Sequence, residues 1–249
     1  QMTKDDGKMQ RKRTALITGG ARGIGRQIAL DLGAAGYNVV VNYNKSEKQA
    51  MELVNELSAR EIACQAIRAD VSDAAQVKRM AEQVMFGTVD TLVNNAGIAH
   101  MGLLQYDSEE DFDRVIGVDL KGVWLTTRQF LPGMIANGFG RVINISSFWA
   151  ERGSSTETAY SAAKAGVNGL TKALSREVGE YVTVNAVIAG LIATEMNDPV
   201  PPEALIRIVD NTPVRRIGRP EDVSNAVLFL ADEKSSFVNG ALLHVDGGY

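Results

Sequence analysis

The chain has 249 residues, 45% of them hydrophobic and 22% charged, and a formal net charge of -4. That length suits one large α/β domain able to bury most of its apolar surface without crosslinks. The charge argues against a nucleic-acid binder, which needs a basic face. The lone Cys64 rules out a disulfide within the chain and fits a cytoplasmic protein. No apolar run reaches the ~18 residues of a membrane span, so no membrane partner is expected.

Residues 1–10 are polar, lack the apolar segment of a secretory signal and are expected to be a disordered leader, leaving residues 11–249 as the domain. The run Arg11-Lys12-Arg13 reads as a solvated approach to the first strand. A strand is predicted over 14–18, a helix over 23–35, a strand over 38–43 (NVVVNY), a charged amphipathic helix over 46–60 and a strand over 64–68. A helix from about 73 to 86 and a strand over 91–94 follow. Two helical stretches, 108–117 and 119–137, precede a strand over 141–146 (RVINIS) and a long helix over 158–179. A strand over 183–188, a Pro-rich excursion over 197–213, a helix over 221–231 and a strand over 241–245 complete the order. This alternation predicts a single-domain α/β fold, a doubly wound parallel sheet of the Rossmann kind. Ligands in such sheets bind beyond the carboxyl ends of the strands, where strand order reverses.

Thr18-Gly19-Gly20-Ala21-Arg22-Gly23-Ile24-Gly25 joins the first strand to the first helix. Glycines permit the tight turn and the approach of backbone N–H groups to a pyrophosphate, and the helix start adds its positive end. The spacing is not that of the G-x-G-x-x-G fingerprint, and a tight connection with packing glycines is the alternative. Sites for the non-phosphorylated dinucleotide place an acid about 20 residues further on. Here the second strand ends Asn42-Tyr43-Asn44-Lys45, with no acid until Glu47. A 2′-phosphate would meet Arg22 and Lys45 and no repelling carboxylate, which favours NADP(H); Arg22 as a solvent-facing charge is the alternative. Asp70-Val71 follows the third strand, where a carboxylate either accepts from an adenine amino group or, with Asp73, caps the next helix.

Tyr160 and Lys164 lie four residues apart in a predicted helix, hence on one face. An ammonium beside a phenol favours the phenolate and draws its pKa down from about 10, as suits a general acid or base. Ser147 stands just after the fifth strand, where its hydroxyl can meet that helix face and bond a substrate carbonyl. His100 and His244 lack metal-ligand spacing, so no metal site is expected.

With these residues the chain resembles the short-chain dehydrogenase/reductase family from residue 14 to residue 248, and within it the β-ketoacyl-acyl-carrier-protein reductases. The match rests on T-G-x-x-x-G-x-G, Asp70-Val71, Asn94-Asn95-Ala96-Gly97, Ser147, Tyr160-x-x-x-Lys164, Asn185, Val238-Asn239-Gly240 and Asp246-Gly247-Gly248. The resemblance implies that Tyr160 protonates the substrate oxygen as hydride arrives from the nicotinamide. Lys164 would hold the nicotinamide ribose and lower the tyrosine pKa, and Ser147 would polarise the carbonyl. It further implies that Thr18, Gly19, Arg22, Gly23, Ile24, Gly25, Asn42, Tyr43, Asp70, Val71, Asn95, Ala96, Gly97, Tyr160, Lys164 and Gly190 contact the cofactor. Asn94 would steady the cofactor and the central sheet. Ile192 and Thr194 would bind the carboxamide, residues 197–213 would form a substrate lid, and the assembly would be a homotetramer.

Three departures qualify the resemblance. The family's fourth catalytic residue is usually Asn, which holds a water in a proton relay; here it is Asp119 in Val118-Asp119-Leu120-Lys121-Gly122. Ionised, it accepts but cannot donate, and it sets a negative charge near the lysine, so an altered relay is expected; a structural role in a helix bend is the alternative. The usual Pro-Gly before the lid is Ala189-Gly190, leaving the nicotinamide pocket looser or braced otherwise. The stretches 137–140 and 179–181, where basic residues would meet an acidic carrier protein, carry none; Arg128, Arg176, Arg207 or Arg215 could substitute. Phe148 and Trp149 either line an apolar substrate pocket or pack the loop. The expected activity is NADPH-dependent reduction of a 3-oxoacyl thioester, a small acyl substrate borne on coenzyme A or acyl carrier protein, in fatty-acid or polyketide-like synthesis. The alternatives are turnover of a free small ketone or secondary alcohol, and a weakly active partner-dependent subunit.

Overall fold

Strands buried at every position need cover on both faces, and the chain supplies it. The computed structural model describes residues 2–5, 8–198 and 200–249. Strands β1 (Met2–Asp5) and β2 (Lys8–Arg11) pair as an antiparallel ribbon. The expected leader over 1–10 thus lies partly outside the described residues and elsewhere forms this ribbon. The basic run after it is anchored rather than merely solvated: Arg11 pairs with Asp90 and Arg13 with Glu233, its guanidinium 3.7 Å over the Phe139 ring.

The main order is β3 (Thr14–Ile17), α1 (Gly23–Ala34), β4 (Asn38–Tyr43), α2 (Glu47–Ala59), β5 (Cys64–Arg68), α3 (Ala74–Glu82) and β6 (Thr91–Asn94). Then come α4 (Glu109–Ile116), a π turn (Gly117–Lys121), α5 (Gly122–Ala136), β7 (Gly140–Ser147), α6 (Trp149–Arg152) and α7 (Thr158–Val178). β8 (Val182–Ala189), α8 (Pro202–Asn211), α9 (Pro220–Ala231) and β9 (Leu242–Val245) close the chain's order. The seven-stranded sheet runs β5-β4-β3-β6-β7-β8-β9, every pair parallel. This is the expected doubly wound sheet, and its order reverses between β3 and β6. Two expectations are corrected. The segments around residue 118 form one continuous helical run with a π turn inside it, and the Pro-rich excursion contains helix α8, with Pro202 at its start.

Alternation along each strand divides the core. Ala15, Ile17, Val39 and Val41 meet Ile28 and Leu32 of α1, Leu53 and Leu57 of α2, and Val227 and Leu230 of α9. Leu16, Val40 and Leu92 meet Val77 and Met80 of α3 and Phe130 and Met134 of α5. A buried polar staple crosses the second layer. Asn94 Nδ2 donates to Thr127 Oγ1 and Asn144 Oδ1 (2.9 Å each), Thr126 Oγ1 donates to Asn94 Oδ1 (2.7 Å), and Asn144 Nδ2 donates to Thr171 Oγ1 (2.9 Å). It fixes β6, β7, α5 and α7 to one another with its donors and acceptors matched. No helix among the described residues is long and apolar enough to cross a membrane.

Candidate active site

The loop after β3 turns through Gly19 and Gly23, at φ 59° and 53°. A Cβ on Gly25 would stand 2.5 Å from Asn95 Nδ2 and 2.6 Å from the Gly19 carbonyl oxygen, so α1 reaches the loop only without a side chain there. Asn95 donates to the carbonyls of Thr18 (2.9 Å) and Gly19 (3.1 Å), and Thr18 Oγ1 accepts from the N–H groups of Asn95 and Ala96 (3.0 Å each). α1 begins with no side-chain cap and no acid in its first turn. Its free N–H groups and positive end fit a phosphate, which supports a dinucleotide here rather than mere packing glycines.

The other residues expected to touch the cofactor make these contacts within the protein. Asn42 is buried, accepting from the Gly19 N–H (3.3 Å) and donating to the Ala69 carbonyl (3.0 Å); it braces the loop from within the sheet. Tyr43 belongs to the core over α1 and α2. Asp73 caps α3, while Asp70 accepts from Ser72 N and Oγ (2.9 and 2.6 Å) and from Asn44 Nδ2 (2.9 Å). Val71 is buried and fills the space that Gly122 leaves open. Arg22 Nη1 lies 2.8 Å from Glu195 Oε2, and a Cβ on Gly23 would touch Thr194, so the segment after β8 rests on the phosphate loop. Ile24 packs beside the α1 core; Ile192 is buried and bridges Gly218. Gly190 abuts the Asp246 backbone, where a Cβ would come within 2.6 Å. The missing proline at Ala189 is made good by the sheet: Ala189 pairs with Ser147 and Val245, and its carbonyl accepts from Phe148 N (3.0 Å).

Tyr160 and Lys164 share one face of α7, with Nζ 5.4 Å from the Tyr160 ring centre. Lys164 is buried; Nζ donates to the Ile145 carbonyl (3.2 Å) and lies 3.2 Å from Asp119 Oδ2. Ser147, at the end of β7, accepts at Oγ from the Trp149 N–H (3.2 Å), which leaves its own proton free to donate. Asp119 is wholly buried in the π turn, its Oδ1 accepting from the Ile98 N–H (2.9 Å), and Gly97 leaves room for its Oδ2. Burial pushes the Tyr160 phenol above its ordinary pKa and Asp119 adds to this, against the opposing pull of Lys164 and Ser147. Burial also presses on Lys164, but Asp119 and Tyr160 hold its ammonium charged above the usual lysine range. Phe148 and Trp149 stack with ring centres 4.0 Å apart, and Tyr249 meets both edge-on.

Beside the strand-order reversal stand a glycine-rich loop, a hydroxyl, a phenol and an ammonium. Asn144 and Glu195 escaped the reading of the sequence. A polar residue inside the apolar run RVINIS was the available signal for Asn144; Glu195 carried none. Of the basic candidates for a carrier protein, Arg128 lies against the Trp124 ring (5.2 Å).

A family model described as "Enoyl-(Acyl carrier protein) reductase" matches residues 19–249. The chain is 42% identical to a 3-oxoacyl-[acyl-carrier-protein] reductase of Staphylococcus aureus, over 96% of this chain and 99% of that one. It is 43% identical to the BbsD subunit of (2S)-[(R)-hydroxy(phenyl)methyl]succinyl-CoA dehydrogenase of Thauera aromatica, over 95% and 96%. A solved structure of a blue fluorescent protein from a metagenomic library, in complex with NADPH, superposes with a TM-score of 0.89 at 37% identity, covering 95% of this chain and 97% of that one.

Proposed function

The chain belongs to the short-chain dehydrogenase/reductase family, and from that premise we propose that it uses NADPH to reduce the keto group of a 3-oxoacyl thioester to the 3-hydroxyacyl product. The observation that carries this is the convergence of Ser147, Tyr160 and Lys164 beside the phosphate loop. Two hydroxyl donors face one place: Ser147, whose oxygen is already engaged by Trp149, and Tyr160, which burial keeps protonated. Two donors suit one keto oxygen; a carbon–carbon double bond, the target implied by the description of the family model, offers no such acceptor at the reacting atoms.

NADPH, when bound, would supply the hydride that the carbonyl carbon receives. Ser147 donates a hydrogen bond to the keto oxygen and holds it in place. Tyr160 transfers its proton to that oxygen as negative charge develops there, a contribution of about 10²–10⁴ in rate. Lys164 donates to the Ile145 carbonyl and pairs with Asp119; a remaining N–H would hold the nicotinamide ribose. The α1 N-terminus would take the pyrophosphate and Arg22 the 2′-phosphate. Trp149, partly exposed beside Ser147, offers an apolar wall to the acyl chain. The homotetramer reading is supported by the exposed apolar groove between α5 and α7, formed by Trp124, Leu131, Ile135, Leu170 and Leu174. The setting we infer is the cytoplasm, and the thioester carrier is acyl carrier protein or coenzyme A.

The test is loss of NADPH absorbance with acetoacetyl thioesters of both carriers, a 2-enoyl thioester and a free ketone, repeated with NADH. Turnover of the acetoacetyl thioesters with NADPH, and poor use of the others, is expected. Turnover of the free ketone alone, or of the enoyl thioester instead, contradicts the proposal.

A further inference from the structure

Asp119 is a fully buried carboxylate whose Oδ2 has, among the described residues, one cation within reach, the ammonium of Lys164 at 3.2 Å, and no hydrogen bond that would otherwise satisfy it. Its Oδ1 is held by the Ile98 N–H at 2.9 Å. The π turn carries it into the site, and Gly97 has no side chain to keep it out, since a Cβ there would come within 2.8 Å of Oδ2. Burial presses the Asp119 carboxyl above its ordinary pKa, against the pull of the Lys164 ammonium and the Ile98 N–H; the ammonium 3.2 Å away is the group that can hold it ionised in place.

One ammonium cannot fully serve two anions. The groups that face the Tyr160 phenol are Lys164 and Glu157 from the α7 region, Asp119 from the π turn and Ser147 from the end of β7. One is positive and two are negative. The positive one is in contact with a negative one, so its pull toward the phenolate is offset in part. We propose that Asp119 is a positioning residue that neutralises Lys164, keeps Tyr160 in its phenol form, and so sets the enzyme to run as a reductase near neutral pH while confining alcohol oxidation to alkaline pH. This rests on the reading of Tyr160 as the proton donor to a keto oxygen.

The proton balance explains the asymmetry. In reduction the phenol proton goes to the substrate oxygen, and the protonated form of Tyr160 is the reactive one. In oxidation the alcohol proton must go to Tyr160 while hydride leaves the carbinol carbon for the oxidised cofactor, and only the phenolate can accept that proton. Asp119 leaves the overall equilibrium untouched and moves the pH at which each direction has its reactive form. The direction of the Tyr160 shift, upward with Asp119 among its causes, agrees with this.

The experiment is a phenolate absorbance titration of the cofactor-free protein, wild type against Asp119→Asn, each with and without Tyr160→Phe. The difference isolates one phenol among the six tyrosines. A midpoint lower by about one pH unit in Asp119→Asn is expected, which is about tenfold more phenolate at neutral pH. The acid limb of 3-hydroxyacyl thioester oxidation should move down with it, raising the ratio of oxidation to reduction at neutral pH about tenfold. Asp119→Ser, which also removes the charge, gives the same shift should the Asn variant fold poorly. Coincident titrations and unshifted acid limbs, with Tyr160→Phe still inactive, overturn this proposal and leave the reaction standing. Normal turnover in Tyr160→Phe overturns the reaction and this proposal with it.

Discussion

Replacing Gly25 by alanine puts a methyl group into the tightest contact of the phosphate loop. The new Cβ would lie 2.5 Å from Asn95 Nδ2, 2.6 Å from the Gly19 oxygen and 2.9 Å from Gly20 Cα. Two of these neighbours are backbone, so the loop itself must move. Overpacking of this kind costs about 1–3 kcal/mol. Displacing Asn95 also breaks its bonds to Thr18 and Gly19, at 2.9 and 3.1 Å, worth about 1 kcal/mol each. The whole effect is about 3–5 kcal/mol, a fall in Tm of roughly 6–20 °C for a domain of this size. NADPH affinity falls as well, because the displaced backbone is what would receive the pyrophosphate. Asn95→Ala loses only the hydrogen bonds, about 2 kcal/mol. In the double variant the contact with Nδ2 is gone, so the two losses add to less than their sum. Thermal melts and cofactor titrations of the four proteins check this. A Gly25→Ala protein with wild-type Tm and NADPH affinity, or strictly additive losses, refutes the reasoning.

Asn144→Ala should cost about 2–4 kcal/mol, since it strands a donor of Asn94 and removes the partner of Thr171 in a sealed network; a denaturant melt measures it. Arg22→Ala should weaken NADPH binding about tenfold to a hundredfold and leave NADH binding nearly unchanged. Glu195→Gln, which frees Arg22 from an exposed pair, should tighten NADPH by no more than about fivefold; cofactor titrations separate the two variants. Asp222, held by Arg216 and the Arg219 N–H, has its pKa lowered to about 2. Its folded pKa is depressed, so its contribution is present above the unfolded value and is lost as pH falls through the folded one. Asp222→Asn should therefore lower Tm at neutral pH, and the difference should shrink below the ordinary value of 3.8 and close near about 2.

Most of the fold was legible because each strand is a short β-branched run and each helix carries its own period. Residues 38–43 and 64–68 were bounded correctly, and the order of elements dictated the doubly wound sheet. The π turn was not legible, since its extra residue in Gly117–Lys121 has no compositional mark. Nor was α8, hidden behind prolines that turned out to start a helix rather than prevent one. In the site, helical spacing places Tyr160 and Lys164 on one face, and Ser147 at the end of a strand is what singles the pair out from a chance match. The inward turn of Asp119 and the bracing role of Asn42 depend on neighbours distant in sequence, Lys164 and Ala69, and only tertiary packing reveals them. The pairing of Arg22 with Glu195 joins positions far apart in the chain, which no local pattern marks.

The central claim is that Tyr160 delivers the proton to a 3-keto oxygen. The direct measurement is the rate of acetoacetyl thioester reduction by wild type and Tyr160→Phe, each saturated with NADPH whose binding is confirmed by titration. A loss of about 10²–10⁴ in turnover with cofactor affinity retained is the predicted result. A Tyr160→Phe protein that binds NADPH and reduces the thioester at the wild-type rate would contradict it.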